Sequence, residues 1–413
     1  MERITINQAA PLDRAVRIAF FLSDLGMGGA ERNIVNLARV FQQRGHRIDM
    51  VLVRRKGALL DEVPDPVNVV ELGMASWPAA LAGLWRQAEC SLTEVLALAP
   101  HKLPVVVRGA PAYVDYLKRN RPDAVLTSLV KNNVAAVWCA AAAGTGTRTV
   151  IREATHLSGE LGMAGGPFDR VLPALVRRWY PLADAVVTVS DGVADDLAQT
   201  AGIDRSWLTT IHNSVDIDRV VARAGEAPDH PWLADDGEPV LVAVGRLAPE
   251  KDYPTLLRAF AKARRSRPLR LLILGEGPER NALEALSRTL EIDADVDLPG
   301  QMENPYAHFA RAALLVSSST WEGFPNAVLE ALACGCPVAA TDCPGGLREL
   351  ADDGAYARLA PVGDPDGLAA AVLETLDMPR DAARLRERAG CFSLENAADR
   401  YLELLIGRPA EHR

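Results

Sequence analysis

A chain of 413 residues exceeds what one ordinary hydrophobic core holds, so two domains of roughly 200 residues each are expected. Apolar residues at 49% and charged residues at 24% are the balance of a soluble globular protein, and no run of about 18 or more uncharged apolar residues could span a bilayer. The net charge of -9 argues against a general nucleic-acid binder, because neutralising phosphates needs a basic surface.

The most apolar early stretch, Val16 to Leu22, contains Arg17 and runs into Asp24 instead of a small-residue cleavage site. It therefore predicts a strand and not a signal peptide, and the expected compartment is the cytoplasm. The strand meets the segment SDLGMGGAE. Glycines at a strand-to-helix turn let backbone amides approach a phosphate at the helix N-terminus, which makes Gly28 and Gly29 candidate contacts. An ordinary turn is the competing reading. The spacing is not GxGxxG and no ribose-binding acid follows at a suitable distance, so a nicotinamide cofactor is disfavoured.

Further strands are predicted at Ile48 to Val53, Asp123 to Thr127, Thr149 to Glu153, Ala185 to Ser190 and Leu208 to His212, with amphipathic segments between them. This alternation predicts a doubly wound parallel sheet. Residues 74–120 are the least legible, and the Ala/Leu-rich helical pattern Leu81 to Leu98 reads as scaffold or acceptor surface. His156 follows the strand that ends at Glu153, a place where histidine is commonly a structural hydrogen-bonding residue.

Asp216 to Gly237 is charged, contains Pro and Gly and shows no sustained apolar periodicity, which suits an interdomain connection with the boundary near Asn213. A second run of strands follows at Pro239 to Gly245, Arg270 to Gly275, Val296 to Leu298, Leu314 to Ser318 and Val338 to Thr341. Helices are predicted from Asp364 to Leu376, Asp381 to Arg388 and Leu394 to Leu405. The domains so drawn are 1–213, 214–392 and a terminal helical segment 393–413 that returns to the first domain.

The first strand of the second half ends in VGRLAPEKD, which places Arg246 and Lys251 in the loop outside the carboxyl edge of that sheet. Two cations there can hold a diphosphate and stabilise it as a leaving group without a divalent metal. Further on, Glu322 and Glu330 flank GFPNAVL across a loop and the start of a helix, with Pro325 suited to the first turn and Gly335 to the helix end. Glu330, about one turn in, can accept two hydrogen bonds from a vicinal diol, while Glu322 sits on the loop side. Solvated side chains are the competing reading for each of these residues taken alone.

Two DxD spacings, Asp216-Ile217-Asp218 and Asp364-Pro365-Asp366, fall in the connection and before a helix that needs a cap, so no divalent metal is expected. The six cysteines, Cys90, Cys139, Cys334, Cys336, Cys343 and Cys391, lack CxxC spacing and a nearby histidine cluster, and read as reduced structural thiols.

The segments GGAE, VGRLAPEK, GEGPER, SSSTWEGFPNAVLEALACGCPVAATD and HNSVD, in that spacing, resemble glycosyltransferase family 4 of the GT-B fold over nearly the whole chain, most strongly from Ile211 to Asp364. The resemblance implies two Rossmann-like doubly wound domains facing across a cleft and a retaining transferase. It implies that Arg246 and Lys251 bind the diphosphate and that Glu330 binds the ribose hydroxyls. Glu322, with the backbone of Gly323, Phe324, Pro325 and Asn326, would orient the transferred sugar. Gly28 and Gly29 would lie across the cleft, Gly245 would belong to the donor loop, and His156 would stand near the donor sugar.

Retention with no obvious nucleophilic carboxylate implies front-face attack, the donor's own phosphate oxygen taking the acceptor proton. No cofactor is expected beyond the nucleotide-sugar substrate, UDP-linked by family frequency and GDP-linked next. The loop TDCPGG, Thr341 to Gly346, resembles that of subgroups adding hexoses or N-acetylhexosamines to lipid-linked oligosaccharides, although Leu347 stands where those relatives often carry proline. The acceptor implied is a glycan or polyprenyl-linked saccharide. Arg177 to Tyr180 or Arg54 to Lys56 could contact the inner membrane surface peripherally. The rival functions are a nucleotide-sugar epimerase or hydrolase on the same fold, and a non-catalytic sugar-nucleotide-binding subunit.

Overall fold

The computed structural model describes residues 15–26, 28–76, 78–80, 104–163, 167–234 and 237–407. The pattern over Leu81 to Leu98, with Cys90, lies outside them.

Two sheets carry the architecture. The first has the order β3-β2-β1-β4-β5-β6-β7, built from Arg17–Leu22 (β1), Arg47–Leu52 (β2), Asn68–Glu71 (β3), Ala124–Ser128 (β4), Arg148–Glu153 (β5), Ala185–Thr188 (β6) and Leu208–Thr210 (β7). The second has the order β10-β9-β8-β11-β12-β13, from Val240–Val244 (β8), Arg270–Leu274 (β9), Val296–Gly300 (β10), Leu314–Ser317 (β11), Val338–Thr341 (β12) and Arg358–Ala360 (β13). Neighbouring strands run parallel, as in the pairs β1 with β2 and β8 with β9. Both orders are Rossmann-like. In such a sheet the strand order reverses beside its first strand, and ligands bind outside the carboxyl ends of the two strands at that reversal. In the second sheet these strands are β8 and β11.

By contacts within the chain the residues form two compact units. Of the described residues, one unit holds those up to Thr127, within Ala135–Val150 and from Leu402 onward; the other holds those within Ser128–Val134 and Ile151–Tyr401. In the first unit the core is aromatic, with Phe21 stacked on Tyr113 at 3.8 Å between ring centroids. There too Arg148 Nε donates to Leu404 O at 2.5 Å. In the second unit the sheet is covered on both sides. Val242, Leu272 and Leu315 pack into one apolar cluster, while their alternating neighbours Leu241, Ala243, Leu271 and Leu314 pack into another. Burial on both faces is why these strands read as continuous aliphatic runs.

Two short strands, β3 and β13, are absent from the sequence-based expectation, being only four and three residues long. The supposed connection Asp216 to Gly237 is also more ordered than expected. It contains a helix, Ile217–Ala224, whose N-cap Asp216 accepts from Arg219 N at 3.0 Å and whose Val220 is buried. Eight residues are too few to show a sustained period, and the cap was the readable signal. Asp364 likewise caps the helix Pro365–Asp377 by accepting from Asp366 N and Gly367 N, each at 3.0 Å. Both DxD spacings thus begin with a helix cap. Asp216→Ala is expected to lower stability by about 1 kcal/mol, read from the urea midpoint, and an unchanged midpoint would deny the cap its role.

Candidate functional site

The site is assembled at the carboxyl ends of β8 and β11. After β8 the chain turns through Gly245, Arg246 and a short 3₁₀ segment, Pro249–Lys251, before the helix Tyr253–Arg264 (α1) begins. Asp252 adopts a left-handed conformation, φ 43°, and accepts from Thr255 N as the cap of α1. This tight turn throws Lys251 back over the sheet edge. Its Nζ lies 2.5 Å from Glu322 Oε1, with the two side chains only 24% and 15% exposed. Ser319 Oγ donates to the same Glu322 oxygen at 2.7 Å, and Ser318 Oγ donates to Lys251 O at 2.6 Å. The loops after β8 and β11 are therefore tied by side chains and by backbone, since Thr320 N also donates to Glu250 O at 2.8 Å.

Arg246 stands nearer the solvent, 69% exposed, its Nη2 donating to Glu250 Oε1 at 2.7 Å. An ammonium has three donors and a guanidinium five, so each ion pair leaves N–H groups able to donate to a further anion. Tyr253 lines the cavity beneath, together with Lys251, Glu322, Ser319 and Asn326. Burial, with Glu322 and Glu250 nearby, holds its hydroxyl well above the usual tyrosine range and keeps it neutral.

Glu322 is positioned by close backbone approaches that only glycine permits. At Gly345, φ 112°, a Cβ would fall 1.7 Å from Glu322 O. Glu322 N donates to Pro344 O at 3.0 Å, and Gly346 N to Gly323 O at 3.1 Å. The TDCPGG loop is thus the cradle of Glu322. At Gly323 a Cβ would fall 2.0 Å from Ala154 O, so the turn after β5 presses directly on this strand-end loop. Gly159 meets the ring of Trp321 in the same way, at 2.7 Å.

In the helix Asn326–Ala333 (α2) Pro325 is the N-cap, just before the first turn in which it was expected. Val328 N and Leu329 N both donate to Pro325 O. The backbone of Phe324 to Asn326 offers fewer donors than the sequence suggests: Pro325 has no N–H, and Asn326 N is bonded to Phe324 O at 3.0 Å. The Phe324 ring is buried, 5.4 Å from His212 and 5.5 Å from Phe392 between ring centroids. Glu330, one turn into α2, is half-buried and accepts from Tyr306 OH at 3.3 Å.

His156, 13% exposed, lies on the turn after β5, its Nδ1 3.2 Å from Ser158 Oγ and 3.5 Å from Asp196 Oδ1. Its neighbours Ala154 and Gly159 bring that turn against Trp321 and Gly323. His212 Nε2 is 2.7 Å from Glu349 Oε2, a carboxylate that also accepts from Asp191 N and Gly192 N. Gly28 caps and Gly29 opens the helix Gly29–Gln43 in the first unit. There the Glu31 carboxylate curls back to within 2.3 Å of where a Cβ on Gly28 would stand.

Sequence reasoning missed Ser319, Glu250, Tyr306 and Glu153. Of these only Glu153 carried a signal, as the second of two adjacent charges that close the strand Arg148–Glu153. It is fully buried. Burial pushes its carboxyl up to about 7 against hydrogen bonds from Tyr180 and Thr155 that lower it, with the Glu160 charge adding to the rise.

The Arg177 to Tyr180 segment does not present an aromatic face: Trp179 and Tyr180 are 7% and 0% exposed, and Tyr180 OH donates to Glu153 Oε2 at 2.6 Å. Arg54 pairs with Asp24. Among the described residues no helix is long and apolar enough to cross a membrane, and no group of three His, Cys, Asp or Glu is placed to hold a metal ion. Cys139, Cys334, Cys336 and Cys343 are buried free thiols and Cys391 is exposed. Burial pushes Cys334 and Cys336 up to about 12.

Two parallel Rossmann-like sheets with cations and acids at the switch point define a GT-B glycosyltransferase architecture. A family model described as Glycosyltransferase Family 4 matches residues 27–219, and one described as Glycosyl transferases group 1 matches residues 228–390. The two together span most of the chain, which belongs to the group 1 glycosyltransferases of family 4.

Among similar proteins is the N-acetylgalactosamine-N,N'-diacetylbacillosaminyl-diphospho-undecaprenol 4-alpha-N-acetylgalactosaminyltransferase of Campylobacter jejuni, 28% identical over 95% of this chain and 100% of that protein. Another is the lipopolysaccharide core biosynthesis glycosyltransferase LpsE of Rhizobium meliloti, 31% identical over 56% of this chain and 66% of that protein. Among solved structures, Anabaena HepE in complex with UDP-glucose superposes with a TM-score of 0.74 at 20% identity, covering 94% of this chain and 99% of that one. That likeness bears on the fold.

Because the folded carboxyl of Glu153 titrates near 7 and the unfolded one near 4.5, its contribution to stability is full below about 4.5 and is lost as pH rises through about 7. Glu153→Gln is expected to flatten this fall, worth on the order of 3 kcal/mol, in urea unfolding at pH 5 and pH 8. A slope identical to that of the parent chain would contradict the assignment.

Proposed function

We propose that the chain is a retaining, metal-independent hexosyl- or N-acetylhexosaminyltransferase acting from a nucleotide diphosphate sugar, UDP-linked in the first instance and GDP-linked as second choice. The single observation that carries the reading is the Lys251–Glu322 pair at the β8/β11 switch point, with Arg246 at the rim of the same loop. Lys251 and Arg246 bind the pyrophosphate. Glu322 orients the sugar, Glu330 binds the ribose diol, and His156 contacts the sugar from the turn after β5. As the bond from the anomeric carbon to the phosphate oxygen breaks, charge builds on the leaving diphosphate and the two cations stabilise it. The acceptor oxygen bonds to the same face of that carbon, and its proton passes to the departing phosphate oxygen. Glu322 is held by Lys251 and Ser319, so it positions and does not attack.

The acceptor in this reading is a glycan or polyprenyl-linked saccharide, met by a cytoplasmic protein that approaches the inner membrane surface peripherally. The Campylobacter relative, whose name states an undecaprenol-linked acceptor and an alpha linkage, supports that choice, and the UDP-glucose in the HepE complex supports the base.

The test is a panel of UDP- and GDP-sugars with the purified chain and a membrane lipid extract, following nucleotide release. Release that depends on acceptor and persists in EDTA is expected; acceptor-independent release points to a hydrolase, and loss in EDTA overturns metal independence. Lys251→Ala is expected to lower kcat/KM by about 100-fold, as for other single electrostatic groups, and turnover equal to the parent chain would remove Lys251 from the mechanism.

A further inference from the structure

The strand β5 ends in two adjacent charged residues of opposite sign that are both buried, Arg152 at 1% and Glu153 at 0% exposure. Burying charges is costly, and apolar residues of similar size would serve a core at least as well. Successive residues of a strand point to opposite faces, so the two side chains reach different neighbours.

Glu153 looks towards the turn that follows it. Its Oε1 accepts from Ala154 N at 3.1 Å, Thr155 N at 3.3 Å and Thr155 Oγ1 at 2.9 Å, while Oε2 accepts from Tyr180 OH at 2.6 Å. This clamp fixes the Ala154 carbonyl, the group against which Gly323 is packed without room for a Cβ. The same turn continues into His156. From the next strand end, Ser190 Oγ donates to Gly323 O at 2.9 Å, so the residue after Glu322 is gripped from two sides.

Arg152 reaches the other end of that loop. Its Nη1 donates to Ser128 Oγ at 2.7 Å and its Nη2 to Asn213 Oδ1 at 2.5 Å. Fixed in orientation by this bond, the Asn213 amide donates through Nδ2 to Asn326 Oδ1 at 2.9 Å, at the first residue of α2. One strand end thus reaches Gly323 through one charged residue and Asn326 through the other.

We propose that Arg152 and Glu153 are positioning residues for sugar transfer, bracing the two ends of the Gly323–Asn326 loop and so setting where Glu322 and the start of α2 meet the donor. The inference rests on the transferase reading above. It accounts for a buried carboxyl whose ionisation works against folding yet whose charged form makes four hydrogen bonds to one turn and its support. Neither residue touches substrate; each acts through a backbone carbonyl or an amide side chain.

The test compares Glu153→Gln, Thr155→Val, Asn213→Ala and the Glu153→Gln/Asn213→Ala double variant with the parent chain, by steady-state kinetics with the best UDP-sugar and by hydrogen exchange of the amides from 321 to 329. Glu153→Gln removes a buried charge at constant volume, and Thr155→Val, which deletes only the 2.9 Å bond, covers the case in which the glutamine variant does not fold. Expected are a fall in kcat of about tenfold or more with donor KM within about twofold, faster exchange in 321–329, and a double variant less impaired than the product of the singles. Parent-like kcat, or parent-like exchange in 321–329 for both Glu153→Gln and Asn213→Ala, overturns the brace. Should the parent chain transfer no sugar, the transferase reading fails by itself, and the exchange measurement still decides whether β5 holds the loop.

Discussion

The ion pair between Lys251 and Glu322 is the contact on which the chemistry proposed for the second unit rests. It joins the loop after the first strand of that sheet to the loop after the fourth, across the place where strand order reverses. At 24% and 15% exposure the two groups are only partly shielded, so the pair is neither a screened surface contact nor a buried charge pair of high cost. It holds an ammonium and a carboxylate where a charged ligand can compete for either. Ser319 and the Thr320 backbone bond keep the carboxylate and the loop in place around that exchange.

Backbone contact does as much as side-chain contact. Gly345 packs against the carbonyl of Glu322, and Gly323 against the carbonyl of Ala154, at separations that forbid a β-carbon. Such approaches define position to a fraction of an ångström, because a carbonyl stacked on a Cα has no rotamer to relax into. The turn after β5 therefore belongs mechanically to the same site as the loop after β11, and His156 is carried there by the chain that makes the contact.

The sheets were legible in the sequence because their strands are buried on both faces and appear as unbroken aliphatic runs. The short edge strands β3 and β13 were not, since four and three residues give no period to count. Lys251 and Glu322 were legible through the strand-end positions they share, and the structure brings them together. The helix at Ile217–Ala224 hid inside a charged stretch, although Asp216 was a recognisable cap. Trp179 and Tyr180 looked like an interfacial pair beside two arginines, but burial of an aromatic depends on what packs against it in space, and here Tyr180 supports Glu153. Hydrogen bonds between residues such as Arg152 and Asn213, 61 positions apart, leave no trace in a single sequence.

Both faces of the second sheet are occupied by apolar packing, which leaves the strand ends as the surface free to vary. Substitutions within β8, β9 or β11 propagate into two cores at once, whereas polar positions beyond their carboxyl ends can change without reaching either core, provided Leu247, Phe324 and Cys343, which belong to those cores, and the close-packed Gly323 and Gly345 are kept. In a family built this way the polar positions of the connecting segments are where sugar preference can diversify, and attempts to redirect this chain are best confined to those positions, leaving the strands untouched.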